Sequence, residues 1–222
     1  MATYLNVLND VLVRLRRDTV VDVGGTDVKL IAALVNVAKN EVEDSFKWNA
    51  LRTSLDVAVT ASDKDYSLTD FGERFVIEKV WDISNDLILR QTDHLWIDKQ
   101  RELGNSNEAQ PGNWAISGVD ANGDPTMELW PTPSASLTLR VWAHVPTTKL
   151  TANSDQVKVP SLPIVLKAYQ LALHERGEDG GIDPTSAKAE FDRALDNAIA
   201  RENLAQRGGH NTDWYVASGP RA

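Results

Sequence analysis

Hydrophobic residues in this chain recur with a helical period at both ends and with period two in the middle. Near the N-terminus they follow steps of three and four residues, at Leu5, Leu8, Leu12 and Leu15. From about residue 54 to residue 145, apolar and polar residues alternate, which is the pattern of strands with one buried face. The helical period returns after Pro160. Two changes of period therefore predict helices at both ends and a β-rich middle.

Capping signals place four helices at the two ends of the chain. Thr3 can cap the first helix, and the second should begin near Thr26. A third helix is predicted over residues 164–176, and Asp183 caps the last one. The predicted inner face of that last helix consists of Phe191, Ala194, Leu195, Ala198 and Ile199.

The clearest strand covers residues 137–145. Its apolar row is Leu137, Leu139, Val141, Ala143 and Val145. The opposite row is Thr138, Arg140, Trp142 and His144. Further strands are predicted at 55–59, 75–83 and 86–90, followed by a short helix at 92–103. Asn122–Gly123, between apolar runs at 114–119 and 126–130, is the strongest hairpin signal that a sequence offers.

These elements predict an α+β fold. The expected form is a four-helix bundle built from the N- and C-terminal helix pairs, with an inserted antiparallel β-rich domain and an extended C-terminal tail. Neither helix pair has much apolar area to bury alone, so we expect the four helices to pack together. The expected boundaries are 1–51 and 160–207 for the discontinuous helical bundle domain, 52–159 for the β-rich insertion domain and 208–222 for the tail.

The charge balance is acidic, with 32 Asp and Glu against 23 Lys and Arg and a formal net charge of −9. Duplex DNA is held mainly by Lys and Arg that displace condensed counterions, so we expect no non-specific grip on nucleic acid. Cysteine is absent, which excludes disulfides and thiol nucleophiles. No run approaches the roughly 18 apolar residues of a membrane span, and residues 1–15 lack the apolar stretch of a signal peptide.

Motifs that would carry catalysis or metal binding are weak. We expect the four histidines to be solvated or hydrogen-bonded rather than metal ligands; they are His94, His144, His174 and His210. Asp120, Asn122 and Asp124 match the first half of a calcium-binding EF-hand loop. The match then fails at Pro125, where the loop needs glycine, and at Pro131, where it needs glutamate. We therefore predict no catalytic residue, no metal and no cofactor.

Tryptophan is abundant, with seven residues, and most of them are expected to fill a small sheet domain. Trp142 differs because it points away from the apolar row of its strand. Trp214 differs because it lies in the tail, beside Tyr215 and Val216. Exposed aromatic residues often serve interfaces. The predicted partner-binding residues are Trp214, Tyr215 and Val216, and a possible second interface in the β domain comprises Arg140, Trp142 and His144.

The order of short motifs along the chain resembles a known family. The N-terminal helices end in FKWNALR, and the later motifs are QPGNWAISG, MELWPTP, LTLRVWAHVP and VPSLP. This order resembles the phage head-to-tail adaptors, the tail tubular protein A-like family that joins the portal to the tail. The resemblance covers roughly residues 1–207 and depends chiefly on the steps at 111–114, 129–133 and 159–163.

The resemblance implies a structural virion protein and not an enzyme. Such adaptors form a ring, normally of twelve copies, beneath the portal and connect the DNA-filled head to the tail. The implied partners are the portal protein, the downstream nozzle or tail tube protein and other copies of the chain. Genomic DNA would pass through the lumen without specific binding, which the acidic balance allows. The implied location is the neck or tail of the virion, after synthesis in the bacterial host cytoplasm, with no membrane involved.

Two other function classes stay open at this point. One is a different virion neck or tail completion protein. The other is a carbohydrate-binding or hydrolytic module that uses the tryptophan-rich β domain. A ring seen in images of the protein with portal would favour the adaptor, whereas glycan binding without a ring would favour the module.

Overall fold

A computed structural model of the chain describes residues 1–69, 71–72, 74–104, 108–176 and 184–207. These residues form two compact units. One unit contains residues 1–50 and the described residues from Thr147 onward, and the other contains residues 51–146. We refer to the first as the helical unit and to the second as the sheet unit.

Five α-helices and seven strands make up the described part of the chain. The helices are α1 (Tyr4–Arg14), α2 (Lys29–Ser45), α3 (His94–Glu102), α4 (Ser161–Arg176) and α5 (Pro184–Arg207). The strands are β1 (Arg52–Val59), β2 (Asp65–Ser67), β3 (Val76–Asp82), β4 (Leu87–Gln91), β5 (Asn113–Val119), β6 (Pro125–Trp130) and β7 (Leu137–His144). A search of the described helices finds none with the length and apolar character of a membrane span.

Helices α1, α2 and α4 pack on one another in the helical unit. Thr3 caps α1 as predicted, with its side chain accepting a hydrogen bond from the Asn6 N–H. The predicted second helix is present, but a 3₁₀ turn at Thr26–Val28 delays its start to Lys29. α4 is buried on several sides because α5 also packs along it.

Helix α2 buries an ion pair as well as apolar residues. The Lys39 and Glu43 side chains are fully buried and 3.2 Å apart, one helical turn from each other. The Lys39 ammonium also donates to the backbone carbonyls of Thr147 (2.8 Å) and Thr148 (3.0 Å). Glu43 accepts hydrogen bonds from the Thr147 hydroxyl (2.5 Å) and backbone N–H (3.2 Å). The pair therefore binds the backbone where the chain re-enters the helical unit.

Asn36 continues this attachment one turn earlier in α2. Its side-chain oxygen accepts from the Leu150 N–H at 2.8 Å, and its amide donates to the Leu150 carbonyl at 3.2 Å. The same segment pairs with the start of α1, because the Tyr4 N–H donates to the Asp155 carbonyl and the Val157 N–H donates to the Ala2 carbonyl. Residues 147–157 thus have no regular structure of their own but are fixed by hydrogen bonds on both helices.

The sheet has the strand order β1-β7-β3-β4-β5-β6-β2. Neighbouring strands are antiparallel except β4 and β5, which are parallel. Its two edge strands, β1 and β2, follow each other in sequence and contribute to one hydrophobic cluster, with Val57 and Val59 from β1 and Tyr66 from β2. The predicted hairpin is confirmed: β5 and β6 pair across the turn at residues 120–124.

Helix α3 belongs to the sheet unit and packs against β5. Asp93 caps it by accepting a hydrogen bond from the Leu95 N–H at 3.1 Å. Its buried residue, Ile97, forms a small cluster with Ala115 of β5 and Trp130 of β6. The other large apolar side chains of α3 and its C-cap, including Leu95 and Leu103, are exposed.

The predicted four-helix bundle with an inserted domain is wrong. The described chain is a mixed α+β fold with five helices and a seven-stranded sheet that is not purely antiparallel. Helix α5 packs along α4, and its buried apolar residues in the described part are Ala187 and Phe191. Helix α5 therefore buries too little apolar surface to be the fourth helix of a shared core. The irregular segment after β7 fills that role, with Leu150, Val157 and Val159 buried.

Replacing Lys39 by methionine should destabilise the helical unit strongly. Glu43 would remain buried without its cation, and breaking a buried ion pair on one side costs about 3–5 kcal/mol. Urea denaturation followed by circular dichroism measures the loss. Lys39→Met/Glu43→Leu should recover part of it, because no lone buried charge is left. Lys29→Met, at an exposed site of the same helix, should change stability by less than about 0.5 kcal/mol. A Lys39→Met loss as small as the Lys29→Met one would contradict this role.

Candidate functional site

Strand β7 carries the residues that the sequence singled out in the β domain. The strand lies between β1 and β3, so both of its edges are hydrogen-bonded. Leu139, Val141 and Ala143 are fully buried in the sheet core. Because successive side chains of a strand point to opposite faces, Arg140 and Trp142 project from the other face, where both are half-buried. The predicted alternation is confirmed from Leu139 to Ala143, whereas His144, predicted as part of an interface, is only 8% exposed.

Arg140 is held by a carboxylate on the neighbouring strand. The β1–β7 register places Asp56 directly opposite it. The guanidinium donates through Nε to one Asp56 oxygen at 2.7 Å and through Nη2 to the other at 2.8 Å, a two-point ion pair. The hydrogen bond from Arg140 lowers the pKa of Asp56 below its ordinary value and raises the pKa of Arg140. The pair is therefore ionised and oriented at neutral pH.

Trp142 lies beneath a second ion pair that crosses β7. Arg52 of β1 and Glu78 of β3 meet over the strand, with Arg52 Nε 2.8 Å from Glu78 Oε2. The Arg52 guanidinium carbon lies 5.0 Å from the centroid of the Trp142 ring, a cation–π contact. His144 Nε2 lies 3.8 Å from Glu78 Oε2 at the end of the same row. The indole is thus fixed in one orientation by its neighbours.

Trp81 of β3 completes this surface beside Arg140, its partner in the β3–β7 register. Its indole N–H donates to Asp86 at 3.2 Å. We call the surface the β7 face and define it by Arg52, Asp56, Glu78, Trp81, Arg140, Trp142 and His144. The three residues predicted from the sequence lie together on it. The other four were not predicted, because they come from strands far away in sequence whose register the alternating pattern does not specify.

The β7 face combines ion-paired arginines with indole rings. Each arginine on it is paired with a carboxylate, so it offers oriented ion pairs and indole rings. Arg and Trp are enriched in protein interfaces and among the residues that dominate binding energy. Side chains already held in place lose less conformational entropy when a partner binds. The surface therefore has the composition and order of a protein-binding face.

The other predicted contact residues and tryptophans are placed differently. Trp214, Tyr215 and Val216 lie outside the described residues. Trp114 and Trp130 fill the core of the sheet unit as predicted, whereas Trp48 is buried in the helical unit and Trp96 is 40% exposed. Trp48 also satisfies its polar atom, because its indole N–H donates to the Val42 carbonyl at 2.7 Å.

Residues 120–124, which match the first half of a calcium-binding loop, form the predicted turn. One Asp120 oxygen accepts from the backbone N–H groups of Asn122 (2.8 Å) and Asp124 (3.0 Å). The other accepts from the Ser67 hydroxyl at 2.7 Å. These hydrogen bonds, that of Ser67 first, lower the pKa of Asp120. Gly123 adopts a positive φ of 88°, which suits the turn. One oxygen of the aspartate thus closes the hairpin turn, and the other binds Ser67 of β2.

Three side chains among the described residues lie close enough together to bind a metal ion. His94 and Asp98 of α3 meet Glu128 of β6, with potential ligand atoms within 4.8 Å of one another. The prediction that His94 is solvated or hydrogen-bonded overlooked Asp98, which follows four residues later and lies on the same face of the helix. Glu128 could not be assigned to them from sequence, because it is a long-range partner.

Comparison with known proteins identifies the family. The family model described as SU10 adaptor protein matches residues 2–217, which is nearly the whole chain. The chain belongs to the SU10 adaptor protein family. A comparison with curated proteins found no match. The resemblance to phage adaptors is thereby confirmed at the level of the family, while the finer resemblance to tail tubular protein A-like proteins remains a prediction.

Membership in the SU10 adaptor family defines the class of function. The chain is a phage structural adaptor and a component of the virion, a class of structural proteins rather than of enzymes. Its partners are accordingly portal and tail proteins. In such an adaptor the β7 face is a candidate surface for one of these contacts.

Arg140→Gln in the adaptor should raise the pKa of Asp56 toward its ordinary value of 3.8. Because the folded-state pKa is lowered, the pair stabilises the fold above that ordinary value, and the contribution is lost as the pH falls through the lowered one. Carboxyl NMR titration of wild type and variant measures the shift. Arg90→Gln, at an exposed position on β4, should leave Asp56 unchanged. Equal Asp56 titration in all three proteins would show that the two-point pair does not exist in solution.

Proposed function

We propose that this adaptor forms a ring of twelve copies beneath the portal and connects the DNA-filled head to the tail. Genomic DNA passes through the lumen of the ring during packaging and ejection. The observation that carries the proposal is the family match over residues 2–217, because it spans both units of the chain. After synthesis in the host cytoplasm the adaptor takes its place at the neck of the virion.

The acidic balance of the chain supports a lumen that does not hold DNA. A net charge of −9 disfavours the release of condensed counterions that drives binding to the phosphate backbone. A basic channel would retard a genome that must move through it. An adaptor of this charge lets DNA pass without specific binding.

The two units suit two different partners. We assign portal or neighbouring-copy contacts to the helical unit and to the tail residues Trp214, Tyr215 and Val216. We assign contacts with the downstream nozzle or tail tube protein to the β7 face of the sheet unit. The ion pairs of Arg140 with Asp56 and of Arg52 with Glu78 support this second assignment, because they keep the face ordered before a partner arrives.

The tail has an alternative place to dock within its own chain. A cavity of about 480 Å³ in the helical unit is lined by Trp48, Val157 and Val159, together with Glu202 of α5. Helix α5 ends at Arg207, a few residues after Glu202 of the cavity lining. The tail therefore follows soon after this lining residue in the sequence. A tail that folded back into it would stabilise the chain instead of binding a partner. The two possibilities differ in what deletion of the tail does.

Two variants should lose different partners. Deletion of residues 208–222 should abolish attachment to portal-bearing heads and leave the melting temperature unchanged, because the tail is assigned to a partner contact and not to the core of its own chain. Arg140→Ala/Trp142→Ala should keep portal attachment but bind the downstream tail protein at least roughly 30-fold more weakly, since losing even one residue that dominates an interface costs about 2 kcal/mol or more. Co-sedimentation with heads and titration with tail protein measure the two effects.

Arg90→Ala, at an exposed site elsewhere on the sheet, is the matched control and should behave as wild type in both assays. A truncated protein that melts earlier and still attaches to heads would place the tail on its own helical unit. Unchanged binding of the downstream protein by the Arg140→Ala/Trp142→Ala variant would remove the β7 face from the interface.

A further inference from the structure

We propose that His94, Asp98 and Glu128 bind a first-row divalent cation, for which Zn²⁺ is the best candidate. One ring nitrogen of His94 and one carboxylate oxygen from each of the two acids lie within 4.8 Å of one another. The group stands on regular elements: His94 is the first residue of α3, Asp98 follows one turn later, and Glu128 lies in β6. Sites supported by helices and strands hold their ligands in place.

Buried atoms without hydrogen bonds point to a bridging ion. Glu128 is 1% exposed, and its Oε2 makes no hydrogen bond. His94 Nδ1 is also buried and lies 2.8 Å from Glu128 Oε2, so the two atoms form an ion pair only when Nδ1 carries a proton. With the imidazole proton on Nε2, neither buried atom has a hydrogen-bond donor, and a cation between them would satisfy both. Buried polar atoms left in this state are costly. An ion held about 2.1 Å from both atoms would see them at roughly 85°, and widening their separation by about 0.6 Å would give the tetrahedral angle usual for zinc.

The neighbouring cations leave this position available. Arg101 binds Oε1 of Glu128, so Oε2 still faces His94. Such an outer hydrogen bond to the second oxygen is how proteins orient a metal-binding carboxylate. Lys64 lies 3.8 Å from Oε1 and equally far from Asp65, so its charge is shared with a second acid. Two ligand carboxylates would offset the charge of a divalent ion.

The ligand set and its exposure favour zinc over magnesium. Imidazole is a good ligand for Zn²⁺, whereas Mg²⁺ and Ca²⁺ prefer oxygen ligands alone. The Asp98 side chain is 49% exposed and that of His94 is 36% exposed, which gives an ion a path in and leaves positions for water. Exposure also lets Asp98 adjust its oxygen toward the ion. A bound ion would fasten α3 to β6.

A proton can compete with a metal for the same place. His94 Nε2 lies 3.4 Å from Asp98 Oδ2, so a protonated imidazole could contact both acids at once. In that case added metal would have no effect on stability. The experiment therefore has to separate the ion from the proton.

The test uses the full chain at pH 7 with ZnCl₂ or MgCl₂ alone. We expect Zn²⁺ at about 100-fold above its Kd to raise the melting temperature of the sheet unit by about 5 °C or more. Isothermal titration calorimetry should show one site, and Mg²⁺ should give neither effect. Asp98→Asn and His94→Ala should abolish the shift. His174→Ala, at an exposed histidine of α4, should keep it.

Three results would overturn the proposal. The first is no response of the wild-type chain to Zn²⁺. The second is the same zinc shift in Asp98→Asn, a change at an exposed side chain that folding does not require. The third is an equal rise in melting temperature with MgCl₂, which would remove the preference for a metal that binds imidazole. Because Asp98→Asn keeps the buried residues, it decides the matter even if His94→Ala folds poorly.

Discussion

The buried ammonium of Lys39 and the buried carboxylate of Glu43 hold the backbone at Thr147 and Thr148 against α2. Two charges removed from water need each other and every available hydrogen bond, so this contact admits few alternative arrangements. Asn36 extends it to Leu150. The helical unit is assembled from segments distant in sequence, and this polar attachment fixes the connection that leads into α4. The apolar faces of α1, α2 and α4 then complete the core.

Local pattern was enough to predict elements, because their causes are local. Thr3 caps α1, the turn at Asn122–Gly123 joins β5 to β6, and the alternation of β7 buries Val141 while exposing one side of Trp142. The number of helices that share a core was not predictable in this way. An apolar stripe on α5 shows only that one face packs, and the irregular segment that replaces a fourth helix has no periodicity to read.

On the β7 face, too, local pattern predicted part of the surface and long-range strand pairing supplied the rest. Alternation alone identified Arg140, Trp142 and His144 as one row. The carboxylates of Asp56 and Glu78 became their partners only through strand register, which joins residues more than 60 positions apart. The sequence predicted an exposed Trp142 ring, but the strand register places the Arg52 guanidinium over it. The family match then gave this ordered surface a context, since portal and tail proteins are the partners of an adaptor.

The central claim is that this SU10 family adaptor forms a ring at the neck of the virion. A reconstruction of the intact particle at a resolution that distinguishes side chains tests it most directly. The expected map shows twelve copies between the portal and the tail, with DNA density along the axis and the β7 face against the downstream tail protein. A chain located on the capsid surface or in a fibre, or present as a dimer with two-fold symmetry, would contradict the claim.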